Sequence, residues 1–334
     1  MKVFVVGGTG FLGYYSTLEL LKRGNQVATI SLPDIKIGEW FPSDVEVEHG
    51  NVFEMSSARL KELFTGYDGL VYAVGPDDRI TPEGDAYEFF HERLVEGSGR
   101  VVAAAREAGV KRCVVLGSYF AHFARKNPEW KLAEHHPYVR CRLEQVKKVM
   151  DEGKGEMDVM VLELPYIFGI MPEREPIWKD VIVRMLYESK TIRYPKGGTA
   201  MITAETVADA VAGALENGEN GRCYAVGDAN KSWIELLSLM LKSMEMEEKK
   251  IKTVPTFIMT QVGKRMRAKD FEKGREAGLN YVHLFKDIQT RYLYIDADTV
   301  KKELSYSGGE VDEAIAETAK KCLELLEGEK TNMN

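Results

Sequence analysis

Along this chain the hydrophobic positions fall into short apolar runs separated by segments with helical spacing. The runs Val3–Val6, Val27–Leu32, Val45–His49, Gly69–Val74, Arg112–Leu116 and Val159–Leu164 predict strands, several apolar enough to be covered on both faces. Between them, the spacing predicts helices over Tyr14–Arg23, Ala58–Phe64, Leu94–Ala108 and Tyr138–Asp151, with Gly24 and Gly109 closing the first and third. Strand and helix in alternation give an α/β class, a doubly wound parallel sheet. After Pro165 the alternation loosens. The segments Ile170–Tyr194 and Met240–Thr290 read as helices and loops without partner strands, which predicts a smaller C-terminal substrate lobe over the carboxyl edge of the sheet. Residues 1–169 with about 200–237 are assigned to the sheet domain, and about 170–199 with 238–327 to the lobe. Residues 328–334 carry nothing to pack and are expected to fray.

The first strand runs into Gly7-Gly8-Thr9-Gly10-Phe11-Leu12-Gly13 and then into a helix. Glycines at these three-residue intervals permit a tight turn, admit a pyrophosphate to the backbone N–H groups, and pack the helix close to the strand. The helix N-terminus then faces the phosphates. Gly7, Thr9, Gly10, Phe11, Leu12 and Gly13 are therefore cofactor candidates. The second strand ends in Ser31, where an acid would hold the 2′-hydroxyl of NAD and an arginine would admit the phosphate of NADP. With no acid at that position and Lys36 close in sequence, NADP is favoured over NAD. Asp34 serves as ribose acid in the alternative reading.

A second constellation concerns chemistry. The strand ending at Ser118 is followed at the start of a helix by Tyr138 and Arg142, which are four residues apart and share a face. A cation beside a tyrosine favours tyrosinate, lowering a pKa that is ~10 when unperturbed, so the pair is read as the acid for a carbonyl oxygen. Ser118 is placed to hydrogen-bond the same oxygen.

Composition narrows the partners. The net charge of -7 comes from 45 basic and 52 acidic residues without a long single-sign block, which points away from nucleic acid and acidic membranes and toward a small molecule. No apolar stretch approaches the ~20 residues needed to span a bilayer, and the first strand leads into the glycine loop and not into a cleavable signal, so the expected compartment is the cytoplasm. Cys113, Cys141, Cys223 and Cys322 match no metal spacing and read as free thiols. The adjacent His135 and His136 read as a surface loop at the pocket mouth, and no metal ligands are assigned.

Together these features resemble the extended short-chain dehydrogenase/reductase family, also called the NAD-dependent epimerase/dehydratase family, whose fold is of the Rossmann type. The resemblance rests on the glycine signature, on Asp68–Gly75, on Gly97-Ser98 leading into Ala103–Arg112, on Leu164–Gly169, on Met201–Ala210 and on Tyr294–Leu304. It implies that Tyr138 is the general acid/base, that Ser118 orients the substrate oxygen, and that Asn51, Val52, Ala73, Val74, Gly75, Pro165 and Ile167 join Tyr138 and Arg142 around the cofactor. Arg142 departs from the family's lysine and Leu94 from its helix asparagine. Asn51 stands where the family often has an aspartate. Pro165-Tyr166 and Thr199-Ala200 lack the asparagine and arginine that grip a sugar diphosphate, although Arg174, Arg193 and Lys196 are near in sequence. The function implied is an NAD(P)-dependent oxidoreductase moving a hydride to or from a carbonyl or alcohol substrate. Ile177-Trp178, Met185–Tyr187 and Val254–Met259 are apolar enough to line its pocket. The alternatives are a sugar-nucleotide epimerase or dehydratase that retains NAD, and a dinucleotide-binding sensor with a degenerate site. The resemblance also implies a homodimer, with Leu94–Ala108 and Tyr138–Asp151 as the candidate faces; the alternative is that these faces pack inside the monomer.

Overall fold

The computed structural model describes residues 1–332. Its strands, in chain order, begin with β1 (Lys2–Val6), β2 (Gln26–Ser31), β3 (Glu46–His49), β4 (Gly69–Tyr72), β5 (Arg112–Ser118) and β6 (Asp158–Leu164). Then come β7 (Tyr166–Phe168), β8 (Thr191–Tyr194), β9 (Gly198–Thr203), β10 (Arg222–Ala225), β11 (Ala229–Ser232), β12 (Lys250–Thr253) and β13 (Tyr292–Leu293). The main sheet has seven parallel strands in the order β10-β6-β5-β4-β1-β2-β3. This is the doubly wound α/β architecture the alternation predicts.

Side chains alternate across each strand, so β1 feeds two cores. Val3 and Val5 pack on one face with Leu20, Val207 and Val211, while Phe4 and Val6 pack on the other with Leu60, Phe64 and Val101. Strand order reverses between β1 and β4, the point where such sheets open a crevice at their carboxyl edge. The register Val6↔Tyr72 brings the turns after these two strands level, and Ser118↔Leu164 does the same for β5 and β6. Four loops thus meet along one edge.

Beyond Pro165 the structure is more strand-rich than the pattern predicts. β7, β9, β11 and β13 form a second sheet, and β8 pairs with β12 inside the segments expected to lack partner strands. These strands are short, and β12 carries two lysines in four residues, so no apolar run announces them. β10 escapes for the same reason, being four residues at the sheet edge. The helix read as Leu94–Ala108 starts as a π-helical turn, His91–Glu96, before Gly97–Glu107 continues as α-helix. The latter packs along the helix Pro137–Gly153.

Residues 328–332, expected to fray, continue the last helix, Val311–Asn332. Glu329 holds them: its carboxylate meets Lys179 at 2.6 Å and Arg184 at 3.0 Å. Residues 333–334 lie outside the described part. Among the described residues, no helix is long and apolar enough to cross a membrane. The four cysteines are free, and burial pushes the Cys113, Cys141 and Cys322 thiols up to about 12.

Candidate active site

The glycine loop is a close fit of backbone to backbone. Gly7 has φ +89°, a left-handed value that a side chain disfavours, and a Cβ there would strike the Val74 side chain. At Gly13 a Cβ would overlap the Gly7 carbonyl. The turn is closed by Gly10 N–H donating to the Gly7 carbonyl at 2.9 Å. The following helix, Phe11–Lys22, has no side-chain cap and no acid in its first turn. Its first N–H groups therefore face the crevice, a fit for the pyrophosphate of a dinucleotide. Arg174 adds a charge from a lobe loop: its Nη1 lies 3.8 Å from where a Gly10 Cβ would stand. No ion-pair partner of Arg174 occurs among the described residues.

A cavity of about 950 Å³ begins at this loop and runs into the lobe. Gly7, Thr9, Gly10, Phe11, Leu12, Asn51, Val52, Ala73, Val74, Gly75, Pro165 and Ile167 line its cofactor end, and Ser118, Tyr138 and Arg142 its middle. Gly13 and Ser31 stand behind the wall. Ser31 bonds Thr9, Oγ to Oγ1, at 2.9 Å, so it braces the loop. Asn51 spends its side chain on its own turn, donating to Glu54 at 2.8 Å and accepting from the Phe53 N–H at 3.1 Å. Neither Asp34 nor Lys36 reaches the lining, which at that end is Leu32 and Ile35. The lysine expected to help a 2′-phosphate is thus outside the wall.

Pro137 opens the helix Pro137–Gly153, its missing N–H costing nothing at the first helical position. The next residue, Tyr138, faces the cavity. Its ring meets Phe90 edge-on at 5.2 Å, and Arg142 donates from Nε to its Oη at 2.9 Å. Arg142 is itself held, donating from Nη1 to Gln145 Oε1 at 2.7 Å and to the Leu116 carbonyl at 3.4 Å. The sequence reading expects this cation to lower the tyrosine pKa. Burial wins instead: it pushes Tyr138 above its ordinary value, Arg142 opposes the rise, and Asp78 adds to it. The phenol is 3% exposed, and desolvation of tyrosinate exceeds what one shared guanidinium returns. Ser118 accepts the Phe120 N–H at 3.3 Å, capping the next helix and leaving its own O–H for the cavity.

Several residues here went unread in the sequence. Asp77, Asp78 and Arg79, in the loop after β4, all line the cavity. Arg79 pairs with Asp77 through Nε at 2.8 Å, whereas Asp78 is raised to about 6 by burial and the neighbouring Asp77. The signal was available: three charges just past the carboxyl end of a central strand sit where such folds bind ligands. Leu94, in place of the family's asparagine, is fully buried against Gly75 and gives no polar relay. Thr199, in place of its diphosphate arginine, bonds the buried Tyr119 hydroxyl at 2.8 Å.

The lobe end is lined by Ile177, Trp178, Val181, Met266, Leu279, Leu284 and Ile288, with Tyr281 and Gln289. Ile177 and Trp178 are where the sequence expects them. Met185–Tyr187 and Val254–Met259 are not in the lining; Leu186 is buried in the lobe core with Trp233. Arg193 and Lys196 are absent from the lining as well. His136, expected on a surface loop, is fully buried, its Nδ1 accepting from the Asn280 N–H at 3.1 Å. His135 turns away to Asp287.

The fold and the crevice define a dinucleotide-binding α/β enzyme of the Rossmann class. The model of the NAD dependent epimerase/dehydratase family matches residues 3–227, and the chain belongs to that family. A curated relative from Stigmatella aurantiaca, 4-hydroxy-2-methyl-3-oxo-4-farnesyl-3,4-dihydroquinoline-1-oxide ketoreductase, is 23% identical over 256 residues, 73% of each chain. Among solved structures, gox2253 superposes with a TM-score of 0.78 at 17% identity, covering 97% of this chain and 98% of that one. The Bordetella bronchiseptica enzyme WbmH in complex with NAD+ follows at 0.68 and 15%, covering 96% and 97%. These likenesses extend the fold across nearly the whole chain.

Proposed function

We propose that this protein is an NADP-preferring carbonyl reductase for an apolar ketone or aldehyde, with Tyr138 as the proton donor. The observation that carries the reading is the buried Tyr138–Arg142 pair inside a cavity that starts at the dinucleotide loop. A bound nicotinamide cofactor supplies the hydride. Gly7–Gly13 and Arg174 hold its pyrophosphate. Because Arg142 already donates to Tyr138 Oη, the phenolic proton points away from it, toward the cavity. The raised pKa keeps that proton in place through neutral pH, which suits donation to a developing alkoxide. The O–H of Ser118 donates to the same oxygen and orients it. Arg142 fixes the phenol and supplies the positive charge that favours the tyrosinate formed after transfer.

The lobe lining supports a substrate of low polarity. Seven of its nine residues named above are apolar or indole side chains, and the sites where the family grips a diphosphate hold Thr199 and Tyr166. The Stigmatella relative, whose name places a ketone on a farnesyl-bearing ring, supports the same substrate class. For the cofactor, no acid lines the ribose end to repel a 2′-phosphate. The test is a panel of apolar ketones and aldehydes assayed by NADPH oxidation, with Tyr138→Phe alongside. Turnover by the wild type and its loss in the variant are expected. Unchanged turnover in Tyr138→Phe contradicts the mechanism, and tightly retained NAD with weak NADPH binding contradicts the reductase in favour of an epimerase.

A further inference from the structure

Outside the cavity, the fold brings together three groups that the sequence keeps far apart: His135, in the short helix Leu132–His135, and His283 and Asp287 of the lobe segment Tyr281–Gln289. The Asp287 carboxylate is 4% exposed, and among the described residues its ion-pair partners are the two imidazoles alone. Arg291, two residues past that segment, donates to the Asp287 backbone carbonyl. Nδ1 of His135 lies 2.6 Å and Nδ1 of His283 3.2 Å from the same Oδ2. The two rings stack at 3.8 Å with 24° between their planes. A buried carboxylate needs partners; imidazole Nδ1–H groups serve by donating to it, and the same three atoms become a ligand set when a cation replaces those protons.

From this geometry we infer a divalent transition-metal site, of the kind that takes Zn2+, with His135 Nδ1, His283 Nδ1 and Asp287 Oδ2 as ligands. Two imidazoles and a carboxylate are a donor set Zn2+ accepts, with water in the fourth position. The side chains of His135 and His283 are 26% and 33% exposed, which gives the ion a path and the water a place. The three donor atoms lie within 4.8 Å of one another. Tetrahedral bonds of about 2.0–2.2 Å space donors roughly 3.3 Å apart, so loading changes the donor separations by at most about 1.5 Å. The ion is a structural tie. It joins the turn that precedes Tyr138 by three residues to the lobe segment that contributes Leu284, Ile288 and Gln289 to the cavity, and it does not enter the hydride chemistry.

The experiment uses the full chain without an affinity tag, stripped with chelator and titrated calorimetrically with Zn2+, then with Co2+ followed by visible absorption. One ion per chain is expected, with the Co2+ spectrum of a low-symmetry nitrogen–oxygen site and a Zn2+-dependent rise in melting temperature. His283→Gln and Asp287→Asn should each weaken binding by at least about tenfold and remove that rise. His283 is at the surface, so its variant remains informative even where Asp287→Asn does not fold. Absence of stoichiometric binding by the wild type overturns the proposal, as does equal binding by wild type and His283→Gln.

Discussion

At the glycine loop the fit is backbone on backbone: the Gly10 N–H meets the Gly7 carbonyl, and an added Cβ collides at Gly7 and Gly13. Further along the same crevice the proposed chemistry rests on side chains, Tyr138 and Arg142, and their environment decides how they behave. Tyr138 sits under Arg142 yet has its pKa raised, because burial and Asp78 outweigh the cation. A backbone cradle is fixed by sterics and is legible as a glycine pattern. A proton donor is fixed by the balance of solvation against charge, and that balance exists only once the chain has folded.

Substitutions should separate the two regions cleanly. The largest effect is expected for Tyr138→Phe, which should lower kcat by about 10²–10⁴-fold, the range for a lost general acid, while NADPH titration by fluorescence stays unchanged. Gly13→Val should do the reverse. Its side chain overlaps the Gly7 carbonyl, and a loss of roughly 100-fold in dinucleotide affinity, about 2.7 kcal/mol, is expected by the same titration.

Arg174→Ala tests whether the cradle is backbone alone. Removing one charge-assisted contact to a phosphate should weaken NADPH and NADH alike by about tenfold, near the 1.4 kcal/mol that a factor of ten represents. The smallest effect should come from Asp78→Asn, read in the pH profile. The protonated phenol is the active form, so the rate falls as pH rises through the raised Tyr138 pKa. Asp78 helps raise it, so Asp78→Asn should move that alkaline fall to lower pH, by about a unit or less. A move to higher pH means that Asp78 acts on some other group.

The same division governs what could be read before the fold was known. β1, β2 and β4 to β6 are apolar runs rich in β-branched residues, and their central pairing follows from that pattern. β8, β10 and β12 are short, polar-edged strands whose pairing depends on what covers them. Tyr138, Ser118 and Arg142 were legible as a constellation, but the direction of the Tyr138 shift was not, since neither Phe90 nor Asp78 can be placed beside it from spacing. The lobe lining from Met266 to Gln289 carries no signal distinguishing pocket from core. His135 and Asp287 are 152 positions apart in the chain, and only the docking of the lobe against the turn before Tyr138 makes them neighbours.

The central claim is that a buried, protonated Tyr138 delivers the proton while the glycine cradle holds the hydride donor. The most direct measurement is single-turnover reduction of an apolar ketone by protein-bound NADPH, in wild type and Tyr138→Phe, from neutral to strongly alkaline pH. The account predicts a wild-type rate that is flat through neutral pH and falls on the alkaline side, and a much slower variant without that fall. Equal rates in the two proteins, with the same pH dependence, would contradict it.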